Sequence, residues 1–178
     1  LWWLQQRSFG LLWLHPKSPL GLMLGLAVAA LYLAVVWQQM RALRIKPDAL
    51  TRLRQRLTGI EPMIPHTASE YRLFVALSIT AGVCEELLFR GFMTWYLSCF
   101  VGLLPAVVIS NAIFGAAHIY LGALNAVRAG VVGMVMSGLV FATGSLLPAM
   151  ALHAAIDFAS GSLGRLALDA APKEASAS

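Results

Sequence analysis

The sequence has little charge and little cysteine. Charged residues make up 12% of its 178 residues, whereas soluble domains carry about 25%. Hydrophobic residues make up 59%, which excludes an ordinary soluble globular domain and indicates an all-α, polytopic transmembrane helical bundle. The two cysteines, Cys84 and Cys99, would lie about 22 Å apart on one continuous helix, which excludes a disulfide between them.

Five apolar segments are candidates for crossing a bilayer, and the second is long enough either for a span that overshoots the membrane or for two helices that meet near Gly91. They cover residues 20–38, 70–100, 103–121, 126–143 and 147–163. We therefore expect five to six membrane helices in a single membrane-embedded domain, residues 1–168. Residues 169–178 are polar and rich in alanine and serine, so we expect a disordered tail. The sequence starts with Leu1 and not with methionine, so we expect native residues before it.

Basic residues are concentrated in one hydrophilic segment, residues 41–56, which holds six arginines and lysines and a single acid, Asp48. By the positive-inside rule this segment is cytoplasmic, and Arg128 and Arg165 fall on the same side, which predicts a cytoplasmic C-terminus. The pattern after Pro47 indicates a short helix on the anionic inner leaflet, with a docking site for an acidic partner as the alternative. Because the positive charge is local, no nucleic acid is expected as a partner.

Three charged residues interrupt the second apolar segment: Glu85, Glu86 and Arg90. A charge at the bilayer centre costs a few kcal/mol or more, so such residues indicate a functional site. Glu86 and Arg90 are four residues apart on one helix face, and we expect them to pair. Glu85 lies about 100° around the helix and stays free for chemistry. A buried ion network that only fixes helix packing is the alternative.

Further polar residues lie on the third and fifth segments. Asn111, Phe114 and His118 share one helix face, and His153 and Asp157 share another. In hydrocarbon each polar group needs a partner. We therefore expect the two histidines and the free glutamate to converge on one polar cavity inside the bundle.

Three chemistries fit such a cavity. A desolvated carboxylate and a histidine can deprotonate a water that attacks a peptide carbonyl, while a second histidine stabilises the oxyanion. Alternatively, His118, His153 and a carboxylate could bind zinc, although the sequence lacks the HExxH spacing that would support this. Cys84 with a histidine could form a nucleophilic pair, but a buried thiol is usually inert.

Three motifs occur in order on separate apolar segments. They are Glu85-Glu86-x-x-x-Arg90, Phe114-x-x-x-His118 and His153-x-x-x-Asp157. This set resembles the motifs of the CPBP family, which comprises type II CAAX-prenyl endopeptidases and Abi bacteriocin-immunity proteins and contains glutamic intramembrane proteases. The resemblance covers a catalytic core of about residues 70–164.

The resemblance implies an intramembrane endopeptidase of a bacterial cytoplasmic membrane, without a metal cofactor. Its substrate would be a membrane protein or peptide, with or without a lipid anchor, cleaved near the C-terminus or at a C-terminal sorting tail. The alternatives are a non-catalytic immunity or binding protein of the same fold and a zinc-dependent protease. A proton-coupled carrier is less favoured, because no internal repeat is visible.

The resemblance also implies roles for individual residues. Glu85 would be the general base, and His118 would help to orient the water. His153 and Asp157 would form the oxyanion site, although prenyl-processing members often have asparagine at the last position. An ionised Asp157 cannot donate a hydrogen bond, so it must be protonated or must orient His153 as an acceptor. Glu86 and Arg90 would be the supporting ion pair, and Phe114 and Asn111, on the helix face of His118, are the other supporting candidates.

Overall fold

The computed structural model describes residues 9–14, 16–57 and 59–169, and within these the regular secondary structure is entirely helical. The helices are α1 (Pro19–Arg44), α2 (Pro47–Leu57), α3 (Ala68–Glu86), α4 (Thr94–Val101), α5 (Leu103–Ala117), α6 (Ala123–Thr143) and α7 (Leu147–Asp169). Short 3₁₀ turns occupy Phe9–Leu12, Glu61–Met63 and Ile119–Leu121, and a π-helical segment, Leu87–Met93, joins α3 to α4. The all-α membrane bundle is confirmed. Of the expected C-terminal tail, residues 170–178 lie outside the described residues.

Two of the described helices, α1 and α6, are long and apolar enough to cross a membrane, and α5 is apolar but shorter. Helix α1 begins at Pro19, where proline suits the first turn and the Ser18 hydroxyl accepts a hydrogen bond from the Gly21 amide. Most of the large apolar side chains of α1 are exposed in the isolated chain. Such a surface suits contact with lipid and not with water.

Helix α7 holds the bundle together, since it packs against α1, α2, α3 and α6. The approach of α3 to α7 is close at Gly82, where a Cβ atom would lie 2.8 Å from both the Met150 carbonyl oxygen and the Ala154 amide nitrogen. Only glycine allows these two backbones to come so near. One turn beyond this contact, α3 brings its two adjacent glutamates to α7.

The second apolar segment forms one continuous helix, which does not break near Gly91. It begins with a capping box, in which the Thr67 hydroxyl accepts from the Glu70 amide and the Glu70 carboxylate accepts from the Thr67 amide. After Glu86 the helix widens into the π-helical segment. There the Phe89 carbonyl accepts hydrogen bonds from the hydroxyls of Thr94 at 2.8 Å and Ser110 at 2.7 Å. Such π-helical turns are frequent at functional sites.

Other helix boundaries differ from the sequence predictions. Helix α5 ends at Ala117 and not at Leu121, and His118 after it has non-helical dihedral angles. Gly122, with φ of 96°, lets α6 begin at Ala123. Helix α7 continues to Asp169, beyond the predicted end of the last segment.

The predicted short basic helix is present as α2, and it packs against the bundle. It contacts α1 and α7, and Leu50 is buried. Part of its apolar face therefore packs against the bundle, while Arg52, Arg54 and Arg56 remain exposed.

Candidate active site

The Glu86 carboxylate is fully buried and lies at the centre of the polar cluster. Its Oε1 atom accepts hydrogen bonds from Arg90 Nη1 at 2.8 Å and from His153 Nδ1 at 2.7 Å. The pair with Arg90 is the one that the four-residue spacing predicts. The contact with His153 joins residues 67 positions apart, and the sequence contains no local signal for it. Two donors thus compensate a carboxylate that has no access to water.

The other ring nitrogen of His153 faces two further carboxylates. Nε2 lies 3.7 Å from Glu85 Oε2 and 3.8 Å from Asp157 Oδ2. Because an ionised Glu86 can only accept, Nδ1 carries a proton, which fixes the orientation of the imidazole. The side chains of Glu85 and Asp157 are 34% and 36% exposed, so Nε2 points to the open part of the cluster.

This geometry changes the expectation for Asp157. The residue at hydrogen-bond distance from His153 is Glu86, whereas Asp157 lies slightly beyond direct hydrogen-bond distance of Nε2. Glu86 is therefore the residue that orients the histidine. Asp157 is instead placed beside the nitrogen that Glu86 leaves free.

Arg90 is almost fully buried and makes three contacts. Besides Glu86, its Nη2 atom donates to Asn111 Oδ1 at 3.1 Å, and its guanidinium carbon lies 4.1 Å from the centroid of the Phe114 ring. A guanidinium can be buried at such a site because its planar N–H groups donate hydrogen bonds while its flat face stacks on an aromatic ring. The sequence predicts Asn111 and Phe114 as supporting residues, and both lie against Arg90.

The Phe114 ring lies between the two histidines of the motifs. Its centroid is 4.6 Å from that of His118 and 6.0 Å from that of His153. The Phe114 carbonyl accepts a hydrogen bond from His118 Nδ1 at 2.8 Å, so Nε2 of this half-buried histidine keeps a lone pair. Tyr120, which the sequence does not single out, stacks on the His118 ring at 6.1 Å. Glu85 thus lies beside His153, and Phe114 contacts both His153 and His118.

Three polar atoms of the cluster have no hydrogen-bond partner among the described residues. They are Glu85 Oε2, Glu86 Oε2 and Arg90 Nε. A buried carboxylate oxygen normally has a donor. Glu85 Oε2 also lies next to His153 Nε2, so it can accept a hydrogen bond from a water molecule or from a substrate.

The remaining candidates lie apart from this arrangement. Cys84 is exposed and not buried, and it is a free thiol. Among residues 9–14, 16–57 and 59–169, no group of three or more histidines, cysteines and carboxylates is placed to hold a metal ion. No set of zinc ligands can therefore be identified among the described residues, and the lack of a metal cofactor stays a prediction.

The chain was compared with models of protein families. The family model described as type II CAAX prenyl endopeptidase, Rce1-like, matches residues 67–159, slightly more than half of the chain. The matched part begins at the capping residue of α3 and extends into α7, so it contains the whole polar cluster. No curated protein and no solved structure matches the chain.

Proposed function

We propose that this chain, which belongs to the Rce1-like type II CAAX prenyl endopeptidase family, is an intramembrane endopeptidase that works through activated water. Its substrate would be a membrane-associated protein or peptide, cleaved near the C-terminus. The proposal rests on the contacts of the two ring nitrogens of His153. Its Nδ1 atom binds a buried carboxylate at 2.7 Å, and its Nε2 atom lies beside two partly exposed carboxylates.

Water activation is the proposed role of Glu85. Its Oε2 atom takes a proton from a bound water, whose oxygen forms a bond to the carbonyl carbon of the peptide while the carbonyl π electrons move to oxygen. A carboxylate removed from bulk water is a stronger base than an exposed one. The free lone pair of His118 Nε2 accepts the second hydrogen of the same water and orients it.

Stabilisation of the oxyanion is the proposed role of His153. With both nitrogens protonated, it donates Nδ1–H to Glu86 and Nε2–H to the developing negative charge. The ionised carboxylate of Glu85 near Nε2 favours this charged form before substrate binds. Protonated Asp157 supplies a second donor at the same position.

Collapse of the tetrahedral intermediate completes the reaction. The carbonyl re-forms, the carbon–nitrogen bond breaks, and the leaving nitrogen takes the proton that Glu85 removed from water. The products are a free amine and a new C-terminal carboxylic acid, which loses its proton to solvent. The attacking water supplies one oxygen atom of the new carboxylate, and no covalent bond to the enzyme forms.

The membrane orientation is also a proposal. Helix α1 has Arg41 and Arg44 in its last turn, and the exposed arginines of α2 follow directly. Arg165, near the end of α7, donates to the Thr67 carbonyl at the start of α3. The basic termini of these helices therefore lie at one end of the bundle, which we assign to the cytoplasmic side of a bacterial cytoplasmic membrane.

The test is cleavage of membrane-anchored peptides in proteoliposomes containing ¹⁸O-labelled water, with the products identified by mass spectrometry. The panel should include prenylated peptides, unmodified peptides and peptides with an apolar C-terminal sorting tail. We expect one new C-terminal carboxylate carrying a single ¹⁸O label. Cys84→Ser, a change next to the proposed base, should cleave like the wild type. A wild-type protein that binds these peptides but cleaves none would instead support a binding or immunity protein.

A further inference from the structure

We propose that Ser137 of α6 is a positioning residue for the site, acting through Asn111 on Arg90 and from there on the Glu86–His153 pair. This inference rests on the proposed peptidase function, but it concerns a residue outside the three motifs. Ser137 is buried and lies on a helix that contributes no motif residue. Its hydroxyl oxygen accepts a hydrogen bond from Asn111 Nδ2 at 2.9 Å.

The Asn111 side chain is fixed in one of its two possible orientations. Its amide nitrogen donates to the Val107 carbonyl at 2.8 Å and to the Ser137 hydroxyl, which uses both amide hydrogens. The amide oxygen then faces Arg90 and accepts from Nη2 at 3.1 Å. In the flipped orientation an NH₂ group would face the guanidinium, and two donors would oppose each other. The Val107 carbonyl and the Arg90 guanidinium select this orientation, and Ser137 holds the second amide hydrogen and so restrains the position of the side chain.

Arg90 transfers this constraint to the catalytic histidine. Its guanidinium is held at two points, with Nη1 on Glu86 and Nη2 on Asn111. Loss of the second point would allow the guanidinium to turn, and the 2.8 Å contact with Glu86 would weaken. Glu86 also accepts the His153 Nδ1 hydrogen through the same oxygen atom. Because this chain of hydrogen bonds is buried, each bond is stronger than in water and a change at one end affects the others.

Helix α6 shapes this region at a second position, Gly133, one turn before Ser137. A Cβ atom at residue 133 would collide with Arg90 Nη2 and with Asn111 Oδ1. The two residues are four apart and share a helix face. That face therefore gives Arg90 and Asn111 both the space and the hydrogen-bond acceptor that their arrangement requires.

Steady-state kinetics in proteoliposomes test the proposal. Ser137→Ala removes the acceptor, and Ser137→Thr retains a hydroxyl. The matched control is Ser78→Ala, a buried serine whose hydroxyl bonds to the Phe74 carbonyl of its own helix. We expect Ser137→Ala to lower kcat about fivefold at an unchanged KM, as loss of one neutral hydrogen bond would do. Ser137→Thr should recover most of kcat.

Two results would overturn the positioning role: a kcat for Ser137→Ala no lower than that of Ser78→Ala, or an effect confined to KM. If the alanine variant does not insert, Ser137→Cys provides the same test, because sulfur keeps the volume and is a weak acceptor.

A wild type without peptidase activity would contradict the proposed function alone. Thermal unfolding of Ser137→Ala, Arg90→Lys and the double variant would then test whether Ser137 is coupled to Arg90. Non-additive midpoints support the connection to Arg90, and additive midpoints refute it.

Discussion

Removal of the Arg90 side chain should damage the fold more than the chemistry. In Arg90→Ala the Glu86 carboxylate keeps its burial but loses the donor at 2.8 Å, and His153 remains as its one donor among the described residues. The variant also loses the contact with Asn111 and the stacking on Phe114. Breaking a buried ion pair by removing one partner costs roughly 3–5 kcal/mol.

For a chain of this length, that cost corresponds to a fall in the thermal midpoint of roughly 6–20 °C. The assay is thermal unfolding of purified protein in detergent, together with the amount of inserted protein in membranes. The control is the double variant Glu86→Gln with Arg90→Ala. It removes both charges of the pair and should recover part of the lost stability, because the buried Glu86 carboxylate that lacks its arginine is gone. An Arg90→Ala protein with normal insertion and midpoint but no activity would refute this reasoning, and Arg90 would then be a substrate or transition-state contact.

Further outcomes follow from the same contacts. Gly82→Ala should cost about 1–3 kcal/mol in thermal unfolding, because its Cβ would press on the α7 backbone, whereas Gly138→Ala, which meets no atom within 4 Å, should not lower stability. His118→Ala should reduce cleavage about 10²-fold or more at an unchanged thermal midpoint, because in the proposed mechanism this half-buried ring orients water, and it is in no buried ion pair among the described residues. Chelators should leave the initial rate of cleavage unchanged in proteoliposomes checked for integrity, and a rate restored by added zinc would contradict this.

Local spacing was sufficient to predict part of the site. The pair Glu86–Arg90 follows from a four-residue separation on one helix, and the need for partners in hydrocarbon agrees with the contact between Glu85 and His153. A shared site with His118 stays a prediction. The polar pattern after Pro47 likewise predicts the short helix α2.

Contacts that depend on helix packing could not be predicted in the same way. The bond from His153 to Glu86 requires α3 and α7 to approach at Gly82, and no spacing in the sequence specifies that approach. The π-helical segment depends on hydroxyl donors from Thr94 and from Ser110 on another helix. Ser137 shows no sequence pattern that separates it from any small residue in a membrane helix.

The Glu85→Gln variant, followed in single-turnover cleavage, tests the central proposal most directly. Glutamine keeps the shape and the hydrogen-bonding capacity of the side chain but cannot accept a proton from water. The matched control is Glu61→Gln, in the 3₁₀ turn before α3. With both variants inserted and folded like the wild type, we expect a fall of about 10²–10⁴-fold or more for Glu85→Gln and no change for Glu61→Gln. A Glu85→Gln protein that cleaves at the wild-type rate would contradict the assignment of Glu85 as the base that activates water.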